Sequence, residues 1–134
     1  VSWRDDLIAR LRGDAALASA LDTRIAWFEN ARSWKTYPQL VLQEITPGRE
    51  YTHDGPDGLD QARVQFDVDA LSGADIQTVE AALLAEMEAE VTAGSTRFHF
   101  GFLEGRRMLP SDDLADQTRV LRMSMDFNFY HEAI

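Results

Sequence analysis

Residues 44–71 read E-I-T-P-G-R-E-Y-T-H-D-G-P-D-G-L-D-Q-A-R-V-Q-F-D-V-D-A-L, and the reading of this stretch decides the fold. Its last third alternates strictly, with Val64, Phe66 and Val68 on one side and Arg63, Gln65, Asp67 and Asp69 on the other. Successive side chains of an extended strand point to opposite faces, so a period of two marks a strand with one face in a core and one in water. The segment before it, Pro47 to Asp60, mixes Gly48, Gly55, Pro56 and Gly58 with Asp54, Asp57 and Asp60. These residues favour turns and interrupt a ladder. Upstream, Gln39 to Thr46 is apolar enough for a second strand, and Pro38 stands at its start, where a missing N–H is tolerated. The expectation is an antiparallel pair joined by a long acidic tip. Loops of that length in a small domain are functional or disordered.

Toward the N-terminus, Trp3, Leu7, Ile8 and Leu11 share one helical face, with Ser2 as N-cap and Gly13 as the break. Asp14 caps a second, short helix carrying Leu17 and Leu21. Ile25 to Phe28 reads as an edge strand, and Glu29 to Thr36 as a loop containing Trp34. Toward the C-terminus, Ile76, Val79, Leu83, Met87 and Val91 form a stripe that predicts a helix over Ala74–Val91, stopped by Gly94. Alternation predicts strands at Arg97–Leu103 and Thr118–Tyr130, with a polar connection from Gly105 to Asp116. In the last strand Leu121, Met123, Met125, Phe127 and Phe129 face in, while Arg122, Ser124, Asp126 and Asn128 face out. Helices and strands segregate along the chain. That argues an α+β domain spanning 1–134: a mainly antiparallel sheet with two principal helices packed on one face and a long β-hairpin loop.

At 134 residues the chain buries roughly two-thirds of its unfolded surface, enough for one core without staples. It has no cysteine, which removes disulfides, thiolate catalysis and cysteine-based zinc sites. Its formal net charge of −10 argues against a groove that wraps DNA phosphates, and Lys35 is its only lysine. No apolar run reaches the roughly 20 residues of a membrane helix, and the N-terminal sequence lacks the shape of a signal peptide. A soluble chain made in the cytoplasm is the expectation.

Chemistry-bearing patterns are sparse. His53, His99 and His131 are scattered without metal-ligand spacing, and no H-E-x-x-H occurs. Asp54, Asp57 and Asp60 recur every third residue, whereas a calcium loop of the EF-hand kind places ligands at alternate positions and closes on a glutamate. Neither a nucleophile elbow nor a phosphate-binding glycine loop is present. The expectation is a protein with no enzymatic activity, no cofactor and no metal. Among the aromatics, Phe66, Phe98, Phe100, Phe127 and Phe129 lie in alternating segments and read as core. Trp34, Tyr37 and Tyr51 lie in or beside loops, where aromatic side chains either serve interfaces or cover the edges of their own sheet.

Several segments carry a resemblance: D-A-A-L-A-S-A-L-D-T-R-I at 14–25, Y-P-Q-L-V-L-Q-E-I at 37–45, and Y-T-H-D-G-P-D-G-L-D-Q-A-R-V-Q-F-D-V at 51–68. A long helix and the closing strand at 122–130 complete the pattern. In this order they resemble the tail-terminator (tail-completion) proteins of long-tailed bacteriophages and gene transfer agents. The resemblance implies a structural virion protein, assembled in the bacterial host cytoplasm and placed at the head-proximal end of the tail. It implies a homo-oligomeric six-fold ring that caps the tail tube and stops its polymerisation. The implied partners are the tail-tube protein and a head-connector or stopper protein, and DNA passes through the lumen without specific binding. It also implies that the loop from Pro47 to Asp60, with Tyr51, His53, Asp54, Asp57 and Asp60, meets a neighbouring subunit or the next ring; Trp34 and Tyr37 join these as interface candidates by their place beside loops. Two other readings stay open: another neck protein (head-closure or tail-adaptor), and a small ligand-binding α+β domain.

Overall fold

The computed structural model describes residues 2–31, 34–47, 51–52, 55–56, 59–114 and 118–134, leaving aside the side chains of 46, 47, 51, 52, 55, 56 and 112. In chain order the elements are α1 (Trp3–Gly13), α2 (Ala15–Leu21), β1 (Ile25–Trp27), a 3-10 turn (Phe28–Asn30), β2 (Gln39–Pro47), β3 (Tyr51–Thr52) and β4 (Gly55–Pro56). They continue with β5 (Leu59–Ala70), α3 (Gly73–Met87), β6 (Val91–Ala93), β7 (Thr96–Phe98), β8 (Phe102–Asp113) and β9 (Arg119–Ala133). Seven of the described strands form one sheet in the order β1-β2-β5-β9-β7-β6, with β8 also on β9; β3 and β4 form a separate small ladder. Among the described strands only β1–β2 is a parallel pair.

The register explains the core. Leu40 stands opposite Val68 and Leu42 opposite Phe66 on one side of β5, while Phe66 faces Met125 and Val64 faces Phe127 on the other. One sheet face thus carries an unbroken apolar field, to which Leu7, Leu11, Leu17, Leu21, Ile76, Val79, Leu83 and Met87 of the helices add their stripes. Phe66 and Phe127 meet edge to face at 5.4 Å, a favoured geometry for aromatic pairs. The starts of α1 and α2 behave as the sequence indicates, and α3 begins on a cap of the same kind. Ser2, Asp14 and Ser72 accept hydrogen bonds from the backbone N–H groups of Asp5, Leu17 and Asp75 respectively.

The central loop is shorter than expected, because β5 begins at Leu59, paired with Glu132, and Asp60 stands opposite His131. The helix expected to run to Val91 ends at Met87. Val91 instead enters the β6–β7 hairpin, and Gly94 is the positive-φ residue (φ 58°) of that hairpin's turn. The cause is tertiary. Arg10 of α1 donates from Nε to Glu86 Oε1 at 2.8 Å and from Nη2 to the carbonyls of Glu86 and Ala89, capping the end of α3. Asp6, one turn earlier, accepts from Thr96 Oγ1 at 2.7 Å and from the Ser95 N–H at 3.3 Å. One face of α1 therefore holds both the end of α3 and the hairpin that follows it.

The segment expected to be one strand at Arg97–Leu103 is broken. β7 and β8 follow the same edge of β9, but Phe98 pairs with His131 and Phe102 with Asn128. Four steps on one strand thus match three on the other. This extra residue flips the alternation, as a bulge does. Gly101 sits in the bulge with its N–H donated to the Met87 carbonyl at 2.7 Å; a Cβ there would lie 2.7 Å from the same oxygen. Phe98 is consequently buried, but Phe100 and Phe102 are half exposed, at 53% and 50%. The assignment of Phe100 to the core is corrected accordingly. The expected polar connection at 105–116 is likewise largely the strand β8, and Phe28 leaves the expected edge strand for the exposed 3-10 turn.

Candidate assembly interface

Beyond its apolar face the sheet presents a polar one. Gln61 Nε2 donates to Asn128 Oδ1 at 2.8 Å, Arg63 Nη2 to Asp126 Oδ2 at 3.4 Å, and Arg122 Nε to Asp69 Oδ1 at 3.3 Å. Gln65 reaches Asp67, and Asn128 reaches Glu104. Ser124 and Asp126 point to this outer face as the alternation predicts, yet both are buried. The neighbouring Arg63 and the Arg107 guanidinium, 3.9 Å from Asp126, stand beside them. Such a net of cross-strand pairs stiffens a face without needing a second layer.

Those of the expected site residues that are described lie on different elements. Trp34 is half-buried and lines an open groove with Asp5, Ile8, Arg12, Trp27 and Asn30, between α1 and the end of β1. Its carbonyl accepts from Gln39 Nε2 at 2.8 Å, which fixes the approach to β2. Tyr37 is half-buried and precedes Pro38, whose carbonyl accepts from Arg24 Nε. Tyr51 lies in β3, opposite Pro56 of β4. His53, Asp54 and Asp57 lie outside the described residues. Asp60 stands within β5 across from His131. His131 is buried and stacks on Trp3 at 4.4 Å. Burial holds its pKa below the ordinary histidine value, against a smaller opposing pull from the Asp60 carboxylate.

The features that sequence reasoning missed lie at the two edges of the sheet. On one edge β8 pairs with β9 alone among the described strands, and Phe100, Phe102, Leu103 and Met108 are exposed along it. The rings of Phe100 and Phe102 meet edge to face at 4.9 Å. On the other edge β1 covers only Leu40 to Leu42 of β2, leaving the strand beyond without a neighbour on that side among the described residues. There the β2–β5 register shifts between Glu44 and Thr46, and Ile45 in that bulge is 42% exposed; Phe28 nearby is 62% exposed. A signal existed in F-H-F-G-F, since a glycine inside an alternating run marks a bulge. No group of three or more histidines and carboxylates among the described residues is placed to hold a metal ion, and no described helix is long and apolar enough to cross a membrane.

A search of curated proteins returns no match. Among solved structures, the chain is similar to one from a structure described as "Virion of native gene transfer agent (GTA) particle". The TM-score is 0.61 and the identity 16%, and the alignment covers 97% of this chain and 94% of that one. At this identity the likeness concerns the fold: the same arrangement of helices and curled antiparallel sheet over essentially the whole length. The family model described as "Tail completion protein gp17" matches residues 5–132, from the first turn of α1 to the end of β9. The chain belongs to the Tail completion protein gp17 family.

Proposed function

We propose that this chain is a tail terminator: a non-enzymatic subunit of a six-fold ring that caps the head-proximal end of a tail tube. The observation that carries the reading is the family match, which runs across the sheet and all three described helices rather than over one motif. The ring stops addition of tube subunits and offers its far side to a head-connector or stopper protein. The β2–β5 tip with Tyr51, His53, Asp54 and Asp57 reaches a neighbouring subunit or the adjoining ring, with Asp60 at its base. Trp34 and Tyr37 contribute a second contact beside the α1 groove. The net charge of −10 suits a lumen through which DNA slides, because carboxylates around a narrow channel repel phosphates.

Electron microscopy of particles made after deletion of the gene in its own host tests this reading. Overlong tails, unjoined to filled heads, are the expected result. Detached tails of normal length would place the chain on the head side of the neck, as a head-closure or tail-adaptor protein. Intact, normal particles would remove the virion role and return the small ligand-binding domain as the explanation.

A further inference from the structure

The two sheet edges that are open among the described residues differ from each other and match in kind. β8 presents exposed apolar side chains on both of its faces: Phe102 lies opposite Asn128 on the polar face, whereas Leu103 and Met108 lie opposite Phe127 and Met123 on the core face. A strand covered on one side shows apolar residues on one face only, and apolar residues on both belong to a strand that is buried on both. The exposure is built in. The bulge at Gly101 turns Phe100 and Phe102 away from the core, and the contact of Gly101 with the Met87 carbonyl leaves no room to undo it. The opposite edge repeats the device on a smaller scale, with Ile45 placed in a bulge of β2 and Phe28 carried outward by the 3-10 turn. Natural soluble proteins blunt free strand edges; here both edges carry apolar side chains instead.

The charges beside these strips are complementary. Arg106 and Arg107 precede Met108 on β8; Arg106 is paired with Glu80 of α3, whereas the Arg107 guanidinium, 3.9 Å from Asp126, keeps donors for a further partner. Glu29 and Glu44 flank Phe28 and Ile45, sharing the single cation Arg4 at 2.9 and 3.8 Å. Two unlike, complementary edges on one subunit make a head-to-tail contact, which repeats around a ring when the rotation closes.

We infer that the occupant of the β8 edge is a second copy of this chain. It sets the Phe28–Ile45 edge against Phe100, Phe102 and Met108, so that neighbouring sheets join side by side around the assembly. The inference rests on the ring reading above only for closure of the contact into a cycle.

The absence of cysteine makes the test direct, since any introduced thiol is unique. Three variants are needed: Ile45→Cys, Met108→Cys, and the two together, each checked for a wild-type melting midpoint. They are produced in the host, and particles are purified and oxidised. The double variant is expected to give a ladder of cross-linked copies up to the closed ring, and each single variant none. Efficient dimers from Met108→Cys alone would show like edges meeting and overturn the inference. So would a cross-link from Met108→Cys to a different protein, or incorporation of the double variant with no ladder; both leave the terminator role standing. If the chain is missing from particles, the terminator role fails. The purified double variant at high concentration then decides the pairing by itself, a ladder supporting it and a monomer refuting it.

Discussion

At position 94 the backbone takes φ 58°, and a Cβ added there would lie 2.1 Å from Asp6 Oδ1. Both the left-handed conformation and the crowding exclude a side chain. Gly94→Ala is therefore expected to destabilise the fold by about 2 kcal/mol or more, read as a lower denaturant midpoint. Gly13, the last residue of α1, has nothing within 4 Å of its Cβ position. Gly13→Ala should be neutral or stabilising by up to about 1 kcal/mol. The two glycines look alike in sequence, so equal effects would contradict this account. His131 gives a residue-scale prediction in pH. Its folded pKa lies below the unfolded value of 6.5, so as pH falls below that value the unfolded chain takes up the proton first. Stability should be full above about pH 6.5 and decline from there toward the folded pKa, and His131→Phe should flatten that decline in thermal melts between pH 8 and 5.

Among the elements, α1 acts as a clamp. Asp6 holds the turn of the β6–β7 hairpin, and the buried Arg10 holds the end of α3. Arg10→Ala should cost about 3 kcal/mol, because it leaves the Glu86 carboxylate and the Ala89 carbonyl without this donor. Hydrogen exchange should show the loss concentrated at the end of α3 and in β6. The clamp also explains which elements were legible. The strands β2, β5 and β9 announce themselves by local alternation, and the starts of α1 and α2 by the local caps Ser2 and Asp14, so sequence reasoning places them closely. The end of α3 depends on Arg10, 76 positions earlier, and the β6–β7 hairpin on Asp6, 90 positions before Thr96. No local pattern carries that information. The Phe100 error has the same origin: period two says that residues alternate, and a one-residue bulge decides which face each joins. For the proposed assembly surfaces, loop aromatics such as Trp34 and Tyr37 were visible as candidates, while the edge residues Met108 and Ile45 became visible only with the sheet order. The β2–β5 tip supplies a further prediction at this scale. Since Leu59 and Asp60 pair with Glu132 and His131, a clean excision must stop at Gly58. Removal of Tyr51–Gly58 should leave the melting midpoint nearly unchanged yet abolish capping of tails; normal capping by that variant would remove the tip from the interface.

The described residues form one apolar layer between three helices and a sheet, with a polar outer sheet face and two edges that are open among them. In the proposed role, such a subunit keeps its own core and reserves its edges and tip for assembly. Its acidity adds a functional prediction: replacing the lumen-facing carboxylates by their amides should slow DNA ejection while the ring still forms. Unchanged ejection would dispose of the repulsive-lumen idea. The most direct measurement of the central claim is a reconstruction of the neck of particles from the producing host. The account predicts six copies of this fold in a closed ring seated on the last layer of tube protein. Finding the chain on the head side of the neck, away from the tube, or finding no copy of it at the tail end, would contradict the account.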